Sequence, residues 1–284
     1  MIRERPTGSK AEELLAYDLA VCAWLESDGG MEAGGGEIPF DVAPSLGPGA
    51  MSRSELPFAG FDEVGRGSPP RPILRLAGFD EAGRGAVAGP VVVACVRLDL
   101  RPIGGRARLR DLTECLRGVD DSKRLSAKKR EDLFGRITTR AAWGVGSSSA
   151  DDIDRIGIVS ACRLAAARAY RNLGADVDVG LFDRGLSLRP IGGLLQAERA
   201  LPIEVTSTGA DGRSLHVASA SIVAKVSRDR MMCRLDETFR GYGLARHKGY
   251  GTAAHREAID ALGASRIHRR TFLKGQEGAK SQSC

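Results

Sequence analysis

The residues that could do chemistry are acids set beside glycine and basic side chains. Asp80 and Glu81 end an apolar run and lead into Gly83-Arg84-Gly85. Neighbouring side chains in extended chain point to opposite faces, so Asp80 offers one carboxylate unless Glu81 swings round or lends its carbonyl. Asp and Gly also build ordinary turns, and composition leaves both readings open. The flanking glycines let backbone approach a ligand, and Arg84 could fork onto a phosphate. Asp183 closes the apolar run Val179-Gly-Leu-Phe, a position that suits a ligand or a helix cap. Asp211 lies in the polar stretch Ser207-Thr-Gly-Ala-Asp-Gly-Arg-Ser. Such oxygen donors fit hard divalent cations, Mg²⁺ or Mn²⁺, better than zinc. Asp121-Ser122-Lys123 and His247-Lys248-Gly249-Tyr250 pair a cation with a hydroxyl, as a phosphate site or a solvated turn would. His247, His255 and His268 show no HxH or HxxxH spacing, and none is assigned to a metal.

These groups need a scaffold. Residues 73–79 and 91–98 read as strands flanking the Asp80–Gly85 loop. Residues 126–138 have helical spacing, and a helix from Ala150 to Asn172 starts with acids at its positive end and breaks near Gly157. Residues 177–182 and 203–206 are further strands, and 219–235 and 253–262 are helices. In the first of these helices Ile222, Val226 and Met232 face a core while Lys225, Arg228 and Asp229 form a polar stripe. Strands alternating with helices after an opening hairpin indicate an α/β fold with a mixed sheet.

Composition is that of an ordinary globular chain of 284 residues, 42% hydrophobic and 27% charged, with a net formal charge of +6. The pI of about 9.1 is a mild hint of a polyanionic partner. The apolar run 86–96 falls well short of the ~18 residues a membrane span needs, so no membrane partner is expected. Six scattered cysteines without a CxxC pair exclude a disulfide scaffold or structural zinc site and fit the cytoplasm. Residues 10–26 read as an amphipathic helix rather than a secretory signal, and the Gly- and Pro-rich stretch to residue 70 as irregular chain. Within it, residues 58–67 recur as 76–85 with eight of ten identical. Prolines follow the first copy and a β-branched run follows the second, so the second belongs to the fold.

Taken in order, these blocks resemble the ribonuclease HII family over residues 75–274. The matching stretches are Gly78–Gly85, Asp121–Ser126, Leu181–Asp183, Ala218–Asp229, Gly241–Gly243, His247–Thr252 and His268–Phe272. The resemblance implies a ribonuclease H-like mixed β-sheet flanked by helices, with a helical C-terminal part over the substrate. It divides the chain into an extension (1–70), a catalytic domain (71–240) and a C-terminal substrate-binding part and tail (241–284). It implies cleavage of RNA in RNA/DNA hybrids and of single ribonucleotides in duplex DNA, as in ribonucleotide excision repair, leaving 3′-hydroxyl and 5′-phosphate ends.

By the same resemblance Asp80, Glu81, Asp183 and Asp211 are the catalytic, metal-holding acids for two divalent ions, Mn²⁺ or Mg²⁺. Gly83, Arg84 and Gly85 would read the 2′-hydroxyl with Tyr250 at the sugar, and Ser122, Lys123, Lys225 and Lys248 would hold the backbone. A monomer is implied, with a sliding clamp as a further contact. Two departures from the family pattern are a long 183–211 connection and Arg184 directly after Asp183. The alternative reading is a non-catalytic hybrid-binding protein inactivated by its extension and insertion.

Overall fold

The structure is a computed structural model, described here for residues 9–25, 74–100, 105–183, 185–189 and 201–273. The first motif copy, Arg184 and the C-terminal tail lie outside them. Five strands form one sheet: β1 (Leu76–Ala82), β2 (Val91–Leu98), β3 (Ala141–Ser148), β4 (Val179–Asp183) and β5 (Ile203–Ser207). Their spatial order is β3-β2-β1-β4-β5. The pairs β1/β2 and β2/β3 are antiparallel, while β1/β4 and β4/β5 are parallel. This is the expected mixed sheet. Strand β1 runs further than the sequence indicates, carrying Asp80 and Glu81 inside the ladder opposite Ala94 and Val93.

Helices cover both faces. In chain order they are α1 (Lys10–Leu25), α2 (Gly105–Cys115), α3 (Ala127–Arg140), α4 (Ala150–Leu173), α5 (Leu215–Thr238), α6 (Leu244–His247) and α7 (Ala253–Leu262). On one face Ala77, Phe79, Val91, Val93 and Cys95 meet Ala161, Ala165 and Ala169 of α4. On the other, Ala82, Ala94 and Val96 meet Ala218 and Ile222 of α5, with Leu14 of α1 and Leu112 of α2 in the same core. Helix α4 starts at a capping box between Ser149 and Asp152 and kinks at Gly157, where φ is 77°.

Two devices align the strand ends that matter. Arg75 donates from its backbone N, Nε and Nη2 to the Asp178 carboxylate at 2.7, 2.9 and 2.6 Å, pinning the entry of β1 to that of β4. Phe79 pairs with Phe182 in the parallel ladder, and their rings stack at 4.4 Å. Each fully buried phenyl contributes about 2–3 kcal/mol. The next residues on the two strands are Asp80 and Asp183, which follow the paired phenylalanines at the same end of the sheet.

The expected N-terminal helix is present and docked. Leu14, Tyr17, Val21 and Cys22 of α1 are buried. Asp18 is buried completely, its Oδ2 2.7 Å from Nδ1 of His216 and accepting the His216 backbone N–H at 3.2 Å. The extension thus begins with an element of the core.

Candidate active site

Period-two alternation at the end of β1 splits the first two acids. Asp80 turns toward α5, where the Ser221 side chain lies beside it, and its Oδ1 accepts the Glu81 N–H at 2.8 Å. Glu81 turns toward α4, near Cys162, whose thiol burial and that carboxylate push up to about 12. Asp183 spends one oxygen on structure: its Oδ1 accepts the N–H groups of Gly209 (3.0 Å) and Ala210 (3.3 Å). Those bonds fold the chain after β5 into a short 3-10 turn, Ala210–Gly212, that carries Asp211.

The four acids feel one another. Burial, then Glu81 and Asp211, hold the Asp80 carboxyl well above the usual carboxylate range. Burial raises Glu81 too, with Asp183 adding to the rise and Arg84 opposing it. Asp211 is raised by burial, Asp121 and Asp183, against Lys123. Among the described residues no group of three or more His, Cys, Asp or Glu side chains is drawn together closely enough to hold a metal ion as it stands. The acids stand instead as a coupled cluster with cations at its edge: Lys123 Nζ lies 3.5 Å from Asp211 Oδ2, and Arg84 Nη1 lies 3.4 Å from Glu81 Oε1.

The remaining expected residues surround this cluster unevenly. Lys123 sits in a 3-10 turn, Ser122–Arg124, capped by Asp121, whose Oδ1 accepts the Lys123 N–H at 2.9 Å. Ser122 points inward. It is 4% exposed, because Ser221 Oγ donates to its hydroxyl at 2.8 Å. Tyr250 is exposed, with Lys225 Nζ 6.0 Å and the Arg228 guanidinium 5.4 Å from its ring centre. Lys225 pairs with Asp229 at 2.6 Å, as the stripe predicts. Arg228 departs from that stripe: it is fully buried, because its guanidinium serves backbone carbonyls at 2.9 Å (Pro90, Lys248) and 3.3 Å (Ala88). Lys248 adopts a left-handed φ of 53°, and its Nζ contacts the Ala245 carbonyl and Cys233 Sγ.

Three of the histidines are joined by hydrogen bonds and ring stacking. Tyr250's carbonyl accepts from His255 Nδ1 at 2.9 Å, which leaves His255 Nε2 to accept from His268 Nε2 at 3.2 Å. His268 Nδ1 then accepts the Ser265 N–H at 3.0 Å. His247 stacks on His255 at 4.1 Å.

The family model described as Ribonuclease HII matches residues 77–274, which contains every one of these site residues. The chain belongs to the ribonuclease HII family. A ribonuclease HII from Geobacter metallireducens is 49% identical over 187 residues, covering 66% of this chain and 78% of that protein. One from Parasynechococcus marenigrum is 43% identical over 187 residues, covering 66% and 76%. Among solved structures, the ribonuclease HII of Archaeoglobus fulgidus in complex with PCNA aligns with a TM-score of 0.52 and 32% identity, covering 69% of this chain and 94% of that one. The ribonuclease H2 of Pyrococcus horikoshii shares the fold, with a TM-score of 0.50 and 24% identity over 72% of this chain and 96% of its own. The ribonuclease HII match leaves α1 outside its span. It includes the 183–211 connection, whose first residues, Leu186 and Leu188, are tucked into the α4-side core. Sequence reasoning missed Ser221 and Asp121 at the acids; a hydroxyl facing Asp80 one helical turn before Lys225 was the available signal.

Proposed function

We propose that this ribonuclease HII family member is a metal-dependent endoribonuclease. Its substrates would be the RNA strand of RNA/DNA hybrids and single ribonucleotides embedded in duplex DNA, cut to leave 3′-hydroxyl and 5′-phosphate ends. The observation that carries the reading is the coupled set of Asp80, Glu81, Asp183 and Asp211, brought together from β1, β4 and the turn after β5 beside the Gly83–Gly85 loop.

The donor set suits hard cations: it is all oxygen, and Glu81 Oε2 is buried without a hydrogen-bond partner. Mg²⁺ or Mn²⁺ ions held by these four acids would supply an activated water and stabilise the departing 3′-oxygen. The protein's own part is to keep mutually repelling carboxylates at one place, through the Asp183–Gly209 bond and the β1/β4 register. Gly83, Arg84 and Gly85 would contact the ribose 2′-hydroxyl, with Tyr250 against the sugar. Lys123, Lys225 and Lys248 would meet the phosphate backbone, and Ser122 would set the turn that presents Lys123.

The proposed state is a monomer working in the cytoplasm. A relative solved with PCNA supports a sliding-clamp contact for this chain as well. The test is Asp80→Asn. Cleavage of an RNA/DNA hybrid in Mg²⁺ or Mn²⁺ should disappear while hybrid binding stays within a few-fold. Undiminished cleavage in that variant would remove Asp80 from the mechanism, and loss of cleavage in Asp62→Asn instead would move the site to the first motif copy.

A further inference from the structure

Two arginines, Arg228 and Arg269, are fully buried, and among the described residues neither forms an ion pair with a carboxylate. Their donors go to backbone carbonyls instead. Arg269 donates to the carbonyls of Gly83 (2.8 Å), Arg84 (2.9 Å) and Gly89 (3.0 Å). Arg228 takes those of Ala88, Pro90 and Lys248. Between them the two guanidinium forks gather five carbonyls of the 83–90 loop and one from the segment leading to Tyr250. Isolated buried charges are costly to maintain, and six carbonyl dipoles are the compensation here. Burial and the neighbouring Arg228 bring the Arg269 guanidinium down to about 10, still protonated at neutral pH.

The consequence lies on the other side of the loop. In a planar trans peptide the C=O and the following N–H point in opposite directions. Holding the Gly83 and Arg84 carbonyls inward therefore turns the N–H groups of Arg84 and Gly85 outward. Gly85 is exposed, with no atom within 4 Å of where a Cβ would stand, so its outward face is open. Gly83 rests directly on Arg228: a Cβ there would lie 1.8 Å from Nε, and φ is +87°. Two adjacent outward N–H groups on a rigid support are what distinguishing a ribose oxygen from a hydrogen requires, because a mobile loop could turn its donors to either sugar.

We infer that Arg269, supported by Arg228, is the positioning residue for sugar discrimination, setting ribose preference by fixing the direction of the Arg84 and Gly85 N–H groups. The inference rests on the proposed reading of Gly83–Gly85 as the 2′-hydroxyl contact. Lysine would keep a charge at position 269 but lacks the planar fork that holds three carbonyls at once.

The experiment compares binding of two duplexes, identical except for one ribonucleotide, by the Asp80→Asn protein with and without Arg269→Lys. The expected result is a loss of about tenfold in the preference for the ribonucleotide duplex, the discrimination carried by one hydrogen bond of about 1.4 kcal/mol. Affinity for the all-deoxy duplex and the circular dichroism spectrum should stay within about twofold and unchanged, respectively. An unchanged preference, or an equal loss on both duplexes, overturns the inference. If Arg269→Lys does not fold, Arg228→Lys gives the same test: a reduced preference supports the inference and an unchanged one overturns it. Absence of any preference in the Asp80→Asn protein itself overturns the sugar-reading assignment, and this inference with it.

Discussion

Asp183 Oδ1 accepts the backbone N–H of Gly209 at 3.0 Å, so one acid of the site anchors the turn that delivers another, Asp211. The carboxylate therefore has two separable duties. Asp183→Asn keeps an oxygen able to accept from Gly209 and Ala210 and should unfold at nearly the unmodified temperature. Its hybrid cleavage should still fall by about 10–100-fold or more, because a carboxylate proposed to hold the metal is lost. Asp183→Ala should lose cleavage equally and also about 1–3 kcal/mol of stability, because two N–H groups lose their acceptor. Denaturant titration beside a cleavage assay separates the two variants.

Asp18 and His216 form a fully buried pair that ties α1 to the start of α5. Asp18→Ala leaves the His216 ring and backbone N–H without their acceptor inside the core. Destabilisation of about 2–4 kcal/mol is expected in urea unfolding. Asp18→Asn, which retains an acceptor oxygen, should recover a good part of it. Equal stability of all three proteins would show that α1 does not hold the domain.

The histidine cluster sets an acid limit. Burial lowers His255 from 6.5 to about 4 in the folded chain, and His268 is lowered as well. An unfolded histidine takes up its proton first as pH falls, so the stability due to neutral His255 is complete above about pH 6.5 and is lost between there and about pH 4. The loss should be on the order of 2–3 kcal/mol in unfolding free energy. Asp152, Asp154 and Asp178, whose carboxyls are lowered, act below that window. A His255→Gln protein should show a flatter profile between pH 6.5 and 4; an unaltered slope would exclude His255 as its source.

Lys123 is 79% exposed at its side chain yet lies beside Asp211, where burial works against the ammonium and Asp211 raises it above its ordinary value. Its proposed role is to meet a phosphate. Lys123→Gln should weaken hybrid binding and lower the slope of log affinity against log salt by about one, with little change in melting temperature. An unchanged salt slope would take Lys123 off the phosphate path.

Much of this was legible in sequence where local chemistry and tertiary role coincide. The run Val91–Leu98 is β-branched and forms the predicted strand, and the Gly157 break and α7 also match. Strand β3 was not legible because Gly144 and Gly146 interrupt it. Their reason is tertiary: a Cβ at Gly146 would lie 2.2 Å from the Ala165 carbonyl, so only glycine lets α4 pack so close. Helix α2 was not anticipated: Gly104-Gly105 open it and its several arginines mask an apolar period. Arg228 was misread as surface, since charge normally marks a solvated face and nothing local reveals that backbone carbonyls 138 and 140 residues away will neutralise it. The Asp18–His216 pair spans 198 residues and has no local signature at all. Among the acids, Asp80 and Glu81 were visible from their motif, whereas the meeting of Asp183 with Asp211 depends on a loop anchored by hydrogen bonds that spacing does not encode.

The central claim is that four carboxylates from separate stretches act together, through divalent ions, on the bond beside a ribose. The most direct test is to incubate the protein with a DNA duplex holding a single ribonucleotide, in Mg²⁺, in Mn²⁺ and in chelator, and to map both product ends. The account predicts one cut at the ribonucleotide with 3′-hydroxyl and 5′-phosphate ends, in metal only. Cleavage that persists in chelator, a cyclic phosphate end, or an intact duplex in both metals would contradict it.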